Sequence, residues 1–429
     1  MESRTFWVLD DDDRTVVADL AVGLGRTAAR VLAYLLLRAQ REPECEPATM
    51  VQLQVGTGLS RSPVSNAVTQ LEDVGLIEHT TVSTDAQGRP PSAWQPTVDL
   101  VSSRRRVYEA HARTLLERAA GIFSDESSTA DGPPEAAGDD ELTVALNWHP
   151  NGLHVPLYTA TASTSTSTWY DEYGVDVGLE HCEGSLRALN RVRSGEADVA
   201  IAGAATVLRA RASGAPIVPI AVLYQRAMTV LYTVRDVFGE QLRSVEQLRD
   251  RRIGMPPHSE TGVLGRLFIS QTALEDAIEI VETAGEEREA LLSGRADVVT
   301  GSVTDPQHLE RRGKTVDTLL VTDHFPIYGP TIVVHEGALR ERRDDFAAFL
   351  AGTAGGWADA SREPGPAAAR IAELGDDGPD RVRATFERAA TEFGGSDDTR
   401  EHGWGWQCER TWNRLRTALE QGQLLTEEP

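Results

Sequence analysis

Residues 142–158 read LTVALNWHPNGLHVPLY, and this stretch decides the fold class. It opens with an apolar alternation, which predicts a strand, and then passes through a polar, aromatic loop into a helix. In open α/β sheets, ligands bind just beyond the carboxyl ends of the strands. We therefore expect a ligand site in this loop, where Trp148 can stack on a ring and Asn147 and Asn151 can read its donors and acceptors. The alternative is that Trp148 packs in a core and His154 only caps a helix.

The pattern Leu-Asn-Trp-x-Pro-Asn-x-x-His-x-x-x-Tyr at residues 146–158 resembles the opening motif of the NMT1/THI5-like family. The family includes ABC-transporter receptors for thiamine pyrimidine precursors and the fungal thiamine-pyrimidine synthases. The resemblance covers roughly the last two thirds of the chain and implies the α/β, two-lobed periplasmic-binding-protein fold of type II. It also implies a thiamine pyrimidine precursor as the ligand. The chain departs from the family at Asn147, where Asp is usual, and at Pro156, where Gly is usual.

Later segments carry side chains suited to the same cleft. Residues 194–205 resemble the glycine-x-alanine-aspartate turn and strand of binding proteins, which places Gly203 at a strand end that a ligand can approach closely. The loop at residues 256–262 precedes a helix, and its backbone N–H groups are suited to hold a polar or anionic ligand group. Glu260 could pair with an aminopyrimidine, whereas Ser259 has an ordinary N-cap as its alternative. The predicted ligand-binding residues are Asn147, Trp148, Asn151, His154, Ser185, Gly203, Gln225, Ser259, Glu260, Thr261, Gly262 and Tyr328.

The composition limits the class of protein. A chain of 429 residues is long enough for two or three domains. Its formal charge is −24, and Lys314 is its sole lysine, a composition that resembles the proteins of extreme halophiles. The acidity therefore indicates adaptation to salt and says little about partners. Cys45, Cys182 and Cys408 show neither metal-ligand spacing nor a disulfide framework, so neither a metal nor a cofactor is predicted.

The N-terminus bears on the location of the protein. The first residues lead into the acidic run at residues 10–13 and not into the apolar segment of a signal peptide. No stretch reaches the roughly 18 apolar residues that a membrane span requires. The sequence therefore predicts a cytoplasmic protein with no membrane partner.

Residues 57–80 read TGLSRSPVSNAVTQLEDVGLIEHT and resemble the winged helix-turn-helix of MarR-like and TrmB-like regulators. Ser60 is a good N-cap, and a hairpin of residues 77–83 and 92–98 follows the helix. The buried stripe of that helix is predicted to hold Val64, Ala67, Val68 and Leu71. Its opposite face and the hairpin tip are suited to contact DNA bases or phosphates. The predicted DNA-binding residues are Arg61, Ser62, Ser65, Asn66, Thr69, Gln70 and Arg89. The alternatives are a winged helix that contacts protein and, for Arg89, an ordinary solvated hairpin tip.

Helices flank this unit. Residues 14–40 predict a helix with a break near Gly23 to Gly25, and residues 101–123 predict another. Regulators of this type dimerise through such helices, so we expect a homodimer; the alternative is that residues 101–123 pack on their own chain.

The predicted domains are a winged helix-turn-helix domain with its flanking helix at 1–123, an acidic flexible linker at 124–141, and an NMT1/THI5-like ligand-binding domain at 142–429 with its second lobe at about 231–321.

These patterns together predict a ligand-responsive transcriptional regulator. Its expected partners are a double-stranded DNA operator and a pyrimidine-like small-molecule effector. The fungal synthases use a lysine-bound pyridoxal phosphate, a reactive histidine and a cysteine-rich motif. Here Lys314 lies in a predicted surface turn and the cysteines are far apart, so no enzyme is predicted. The alternatives are a thiamine-pyrimidine biosynthetic enzyme and an ABC-type substrate-binding protein for a pyrimidine or a sulfonate.

Overall fold

The chain builds one small antiparallel sheet and two five-stranded α/β sheets. The computed structural model describes residues 7–82, 90–123, 141–162, 167–324, 326–375 and 377–425. The N-terminal unit, residues 7–123, contains α1 (Arg14–Arg41), β1 (Ala48–Thr49), α2 (Met50–Thr57), α3 (Arg61–Asp73), β2 (Ile77–Thr81), β3 (Ser92–Pro96) and α4 (Leu100–Phe123). The next part contains β4 (Glu141–Leu146), α5 (Val155–Ala160), α6 (Trp169–Glu172), β5 (Asp176–His181), α7 (Ser185–Ser194), β6 (Val199–Gly203), α8 (Ala204–Ala212) and β7 (Ile217–Val222).

The chain then crosses to a second sheet and returns. The second part contains β8 (Thr229–Val234), α9 (Arg235–Phe238), β9 (Arg252–Met255), α10 (Glu260–Gln271), β10 (Glu279–Glu282), α11 (Glu287–Leu292), β11 (Val298–Ser302), α12 (Asp305–Glu310) and β12 (Val316–Leu320). The returning part contains β13 (Pro330–His335), α13 (Glu336–Glu341), α14 (Arg343–Arg362), α15 (Gly365–Leu374), α16 (Pro379–Phe393), α17 (Asp397–His402) and α18 (Glu409–Gln421).

Two lobes follow from the strand order. The first-lobe sheet has the order β5-β4-β6-β13-β7, and the second-lobe sheet has the order β10-β9-β11-β8-β12. Strands β4, β5 and β6 are parallel, whereas β13 is antiparallel to both β6 and β7. Every residue of β6, β7 and β8 is buried, as expected for strands covered on both faces. The predicted two-lobed α/β fold is confirmed.

The N-terminal unit has the predicted elements. Helix α1 is interrupted at Gly25, which adopts φ 72° and ψ 166°, so the predicted break is confirmed. The side chains of Val64, Ala67, Val68 and Leu71 on α3 are buried, and the three strands form an antiparallel sheet of order β1-β3-β2. The six predicted DNA-contacting side chains of α3 are exposed. Arg89 and almost all of the predicted linker lie outside the described residues, and the winged helix-turn-helix assignment stays a prediction.

Helix α4 joins the N-terminal unit to the first lobe. It packs on α14 and β7. Two of its aromatic rings also contact rings of the two-lobed part: the centroids of Tyr108 and Trp169 are 5.7 Å apart, and those of Phe123 and Trp412 are 5.2 Å apart. The buried side chains of α4 are Ser103, Val107, Tyr108, His111, Ala112, Leu115, Leu116, Ala119 and Phe123. The alternative that residues 101–123 pack on their own chain is therefore confirmed, because the first lobe covers this face of α4, and the homodimer stays a prediction.

A short return segment, residues 404–408, ties the end of the chain to its beginning. The carbonyl oxygen of Trp404 lies 2.6 Å from Nε2 of His111, and the backbone N–H of Trp404 donates to the Val22 carbonyl at 2.8 Å. The N–H of Val222 donates to Gly405 at 3.0 Å, which adds a bridge beside β7. The Trp404 and Trp412 side chains are buried, so both pack in the core.

Within the described part of the chain, one helical stretch has the length and composition of a membrane span. Asp11–Arg41 includes a window with a mean hydropathy of 1.5, and 78% of that window is buried inside the protein. The expectation that no stretch is apolar enough is therefore wrong for α1. Its apolar residues pack in the core of the N-terminal unit.

Gly25 gives a first test of this architecture. A Cβ at this position would lie 1.9 Å from the carbonyl oxygen of Glu401, and the φ/ψ values belong to a region that only glycine adopts readily. We expect Gly25→Ala to lower the free energy of unfolding by about 3 kcal/mol, because backbone strain and steric overlap add. Denaturant unfolding of the full chain measures this loss.

The matched control is Gly121→Ala. Gly121 is exposed near the end of α4, and a Cβ there meets no atom within 4 Å. We expect this change to stabilise the protein by up to about 1 kcal/mol through helix propensity. Equal effects of the two substitutions would contradict the close contact between the α1 break and α17.

Candidate ligand-binding site

The carboxyl ends of the first-lobe strands meet at one edge. Leu146 at the end of β4 pairs with His181 at the end of β5, and Gly203 at the end of β6 pairs with Pro330 at the start of β13. The loop after β4 therefore lies beside the starts of α7 and α8. This is the position at which open α/β sheets bind ligands.

The loop after β4 is held by a buried histidine. The Asn147 side-chain oxygen lies 3.1 Å from Nε2 of His154. His154 is only 2% exposed, and its Nδ1 has no hydrogen-bond partner within the described part of the chain. Burial lowers the pKa of His154 to about 4, so the ring is neutral at pH 7. A neutral ring thus orients the Asn147 amide at the strand end.

Trp148 is exposed at this edge. It is 53% exposed, which excludes the alternative that it packs in a core. Its ring lies 5.7 Å from that of His149, and the His149 ring lies 4.6 Å from that of His181. A surface cavity of about 460 Å³ adjoins these rings and is lined by His149, His181, Cys182, Glu183, Arg187, Asn190 and Arg191. The edge therefore carries an aromatic surface beside a polar cavity.

Two predicted ligand contacts instead shape the backbone. The Asn151 side chain accepts from the Leu153 N–H at 2.9 Å and donates to the His149 carbonyl at 2.8 Å. The Ser185 hydroxyl accepts from the Gly203 N–H at 3.1 Å and so ties the start of α7 to the end of β6. Both side chains position the loops of the site.

Glu260 crosses from the second lobe to the first. It begins α10, and its carboxylate accepts from the Ala205 N–H at 3.1 Å, from the Thr206 N–H at 2.8 Å and from the Thr206 hydroxyl at 2.5 Å. Burial raises the pKa of Glu260, and the hydrogen bonds from Thr206 and Ala205 oppose that rise. A Cβ at Gly203 would lie 2.2 Å from the Glu260 carboxyl carbon. Gly203 thus allows the close approach of the chain's own glutamate.

The loop before α10 behaves as an N-cap. The Ser259 hydroxyl accepts from the Gly262 N–H at 3.0 Å and lies 3.0 Å from the Thr261 hydroxyl. A Cβ at Gly262 would lie 1.8 Å from the Pro256 carbonyl oxygen, so this position needs glycine for packing. For Ser259 the N-cap alternative describes the observed contacts.

Gln225 and Tyr328 lie at the two crossovers and contact the return segment. Gln225 donates to the Trp406 carbonyl at 3.0 Å and accepts from the Ser396 hydroxyl at 3.0 Å. The Tyr328 hydroxyl accepts from the Cys408 N–H at 2.8 Å, and burial raises the pKa of Tyr328 to about 12. Both side chains are buried, so they tie the crossovers to the C-terminal part of the chain.

The predicted set of ligand-binding residues omits three residues of this region. His149 and His181 each adjoin a strand end, and that placement is a signal that could have included them. Thr206 is in the first turn of α8, and no local pattern indicates that it meets Glu260, 54 positions later. Among the described residues, no group of three or more His, Cys, Asp or Glu side chains is placed to hold a metal ion.

Known proteins resemble the two-lobed part of the chain. The riboflavin-binding protein RibY of Chloroflexus aurantiacus is 25% identical over 299 residues, which cover 67% of this chain and 82% of that protein. The formylaminopyrimidine-binding protein of Halalkalibacterium halodurans is 24% identical over 50% of this chain and 65% of that protein. The crystal structure of the periplasmic aliphatic sulphonate binding protein SsuA from Escherichia coli superposes with a TM-score of 0.52 at 14% identity, over 67% of this chain and 94% of that one.

These relatives contradict two predictions. They are solute-binding proteins, so the predicted double-stranded DNA operator is wrong as a partner. The charge of the protein also disfavours DNA binding. Arg61 is the one basic residue of α3, and the net charge of −24 repels a phosphate backbone. The predicted cytoplasmic location is also wrong, since the structural relative named above is a periplasmic binding protein.

His154 makes the site sensitive to acid. Its pKa is about 4 in the folded protein, whereas an unfolded chain takes up the proton near pH 6.5. The free energy of unfolding should therefore fall by about 3 kcal/mol from this group as the pH falls from about 6.5 to about 4, with no contribution above that window. Denaturant unfolding at several pH values measures the slope, which should flatten in His154→Gln.

The control is His79→Gln, which removes an exposed histidine of the N-terminal hairpin. His111 is also buried with a pKa of about 4, so a double variant with His111→Gln should flatten the slope further. An identical pH dependence in His154→Gln and the unmodified chain would show that His154 is not buried in its neutral form.

The fold, the loop after β4 and the comparisons agree on one family. The two five-stranded sheets have the two-lobed arrangement that the opening motif implies. The model of the NMT1/THI5-like family matches residues 151–367, slightly more than half of the chain. The chain therefore belongs to the NMT1/THI5-like family.

Proposed function

We propose that this chain is a substrate-binding protein whose lobes close on a flat, polar, ring-containing molecule. The observation that carries the proposal is the exposed Trp148 ring at the carboxyl end of β4. A large aromatic side chain gains free energy when a ligand covers it, and a planar ligand covers it best. The rings of His149 and His181 extend the aromatic surface beside it.

Hydrogen bonds from the Asn147 amide can fix the orientation of a ligand on this surface. An amide has two donors and an acceptor with two lone pairs, so its contact with His154 leaves capacity for a ligand. A buried neutral histidine fixes the position of that amide, which limits the entropy lost on binding. A ring with nitrogen donors and acceptors fits this combination of stacking and hydrogen bonding.

The relatives suggest which ring. One is named for riboflavin and another for formylaminopyrimidine. Both of those compounds contain a pyrimidine ring, which is flat and has polar edges. We propose a compound with a pyrimidine ring, such as a thiamine pyrimidine precursor, as the ligand of this chain.

A binding role fits the chain better than a catalytic one. Lys314, the sole lysine, lies between α12 and β12 with its Nζ 3.3 Å from Asp236, and its side chain is partly exposed. It is on the second lobe, away from the Trp148 edge, and it is poorly placed to form a Schiff base there. Cys45, Cys182 and Cys408 are free thiols in three separate loops. We therefore propose that the ligand is bound without covalent chemistry.

The hypothesis of a transcriptional regulator loses its basis, because it required DNA as a partner. We infer from element order and the β1-β3-β2 sheet that the N-terminal unit has a winged helix-turn-helix fold. Its contacts through α4 support a structural role on the first lobe.

The test is a thermal-shift panel on the full chain. The compounds are hydroxymethylpyrimidine, formylaminopyrimidine, riboflavin and methanesulfonate. A ligand present at about 100 times its dissociation constant stabilises the folded state by about 2.7 kcal/mol, which is visible as a raised melting temperature. We expect a shift with at least one pyrimidine-containing compound. A shift with methanesulfonate alone would refute the ring proposal.

Trp148→Ala tests the site itself. Loss of a stacked ring should weaken binding by about 1–3 kcal/mol, or roughly 5- to 150-fold, while the melting temperature without ligand stays almost unchanged because the side chain is exposed. The matched control is Leu374→Ala at another exposed apolar residue, which should not alter binding. Unchanged affinity in Trp148→Ala would exclude this ring from the site.

A further inference from the structure

Glu260 makes a direct hydrogen-bonded bridge between the two lobes. It belongs to the second lobe, where it is the first residue of α10, and the three donors that it contacts belong to the first residues of α8 in the first lobe. Two of these donors are backbone N–H groups that an α-helix leaves without partners in its first turn. The carboxylate therefore satisfies groups of one lobe with a side chain of the other.

The surroundings of Glu260 are shaped for this contact. Gly203 has no Cβ, and one built there would overlap the carboxyl group of Glu260. The Gly203 N–H is already bonded to the Ser185 hydroxyl, so the adjoining donors of Ala205 and Thr206 are the ones that receive the carboxylate. A negative group is also stabilised by the positive end of the α8 dipole.

Opening the lobes would break every one of these bonds at once. The N–H groups of Ala205 and Thr206 and the Thr206 hydroxyl would then need water or a ligand as their acceptor. The contact is made entirely by the chain's own residues. Its free energy therefore favours the closed arrangement of the lobes over the open one.

We propose that Glu260 is a cross-lobe latch that stabilises the closed arrangement of the lobes and so determines which ligands the cleft accepts. A ligand that carries an oxyanion to the start of α8 must displace the latch, whereas an uncharged ring compound that binds at Trp148 leaves the latch in place. The latch thus selects against anionic ligands at this position. This inference deepens the proposed function, because closure matters only in a domain that opens for a ligand.

The first experiment measures lobe position without any ligand. Small-angle X-ray scattering gives the radius of gyration of the full chain, and a broken latch should increase it. The variants are Glu260→Ala and Glu260→Gln, which remove the negative charge with and without a change in side-chain size. The matched control is Glu240→Gln, an exposed glutamate of the same lobe. We expect the control and the unmodified chain to have equal radii and both Glu260 variants to have larger ones.

A second variant approaches the latch from the other lobe. Gly203→Ala keeps Glu260 but places a Cβ where the carboxylate lies, so it should open the lobes in the same direction. Hydrogen exchange at the Ala205 and Thr206 amides should rise roughly tenfold or more in all three variants. Cooperative thermal unfolding of each variant establishes that it has folded.

The outcomes separate the latch from the ligand proposal. An unchanged radius of gyration in folded Glu260→Ala and Gly203→Ala would overturn the latch, whatever ligand the chain binds. A larger radius supports it even if no compound of the thermal-shift panel binds. The ligand proposal in turn can fail in that panel while the scattering result stands.

Discussion

The pairing of β13 between β6 and β7 is the contact on which the two-lobed structure depends. Thr331 of β13 lies opposite Ala202 of β6 and donates its hydroxyl to the Ala202 carbonyl, 129 positions earlier in the chain. The whole second lobe is inserted in the chain between β7 and β13. Because β13 returns to the centre of the first sheet, the outgoing and incoming crossovers lie side by side, and the strand ends of both lobes face a common cleft. Without this pairing, Glu260 of the second lobe would not be held beside Gly203 and the start of α8 in the first lobe.

Local patterns in the sequence predicted local structure well. The strand, loop and helix around residues 142–158, the break at Gly25 and the buried stripe of α3 each leave a signal within a few residues, since periodicity and glycine placement are local properties. The same patterns did not indicate which distant parts of the chain contact each other. The apolar face of α4 showed that it would be covered but not that the first lobe would cover it. Gln225 and Tyr328 looked suited to a cleft, yet they bind the return segment, because only tertiary structure decides where a buried polar group finds its partner.

Ligand binding and lobe closure share one free-energy balance. A bond that stabilises the closed arrangement reduces the free energy that ligand binding must supply to close the lobes. It therefore raises the affinity of a ligand that fits the closed cleft. The same bond opposes any compound that must keep the lobes apart or occupy the start of α8. A single carboxylate can therefore sharpen selectivity without touching the favoured ligand. Its partly desolvated position makes it sensitive to each donor, because Glu260 depends on Ala205 and Thr206 to offset the cost of burial.

The return segment has a consequence for the order in which the chain folds during synthesis. His111 of α4 finds its partner in Trp404, 293 positions later, and Arg118 finds its partner in Gln407. At a ribosomal rate of about 5–20 residues per second, these partners follow α4 by on the order of 15–60 s. Until β7 and α14 have been made and have packed on α4, the apolar face of α4 lacks its first-lobe cover, although the helix itself is already made. The nascent N-terminal unit therefore exposes apolar surface during synthesis, and such a segment is suited to bind chaperones that act on nascent chains.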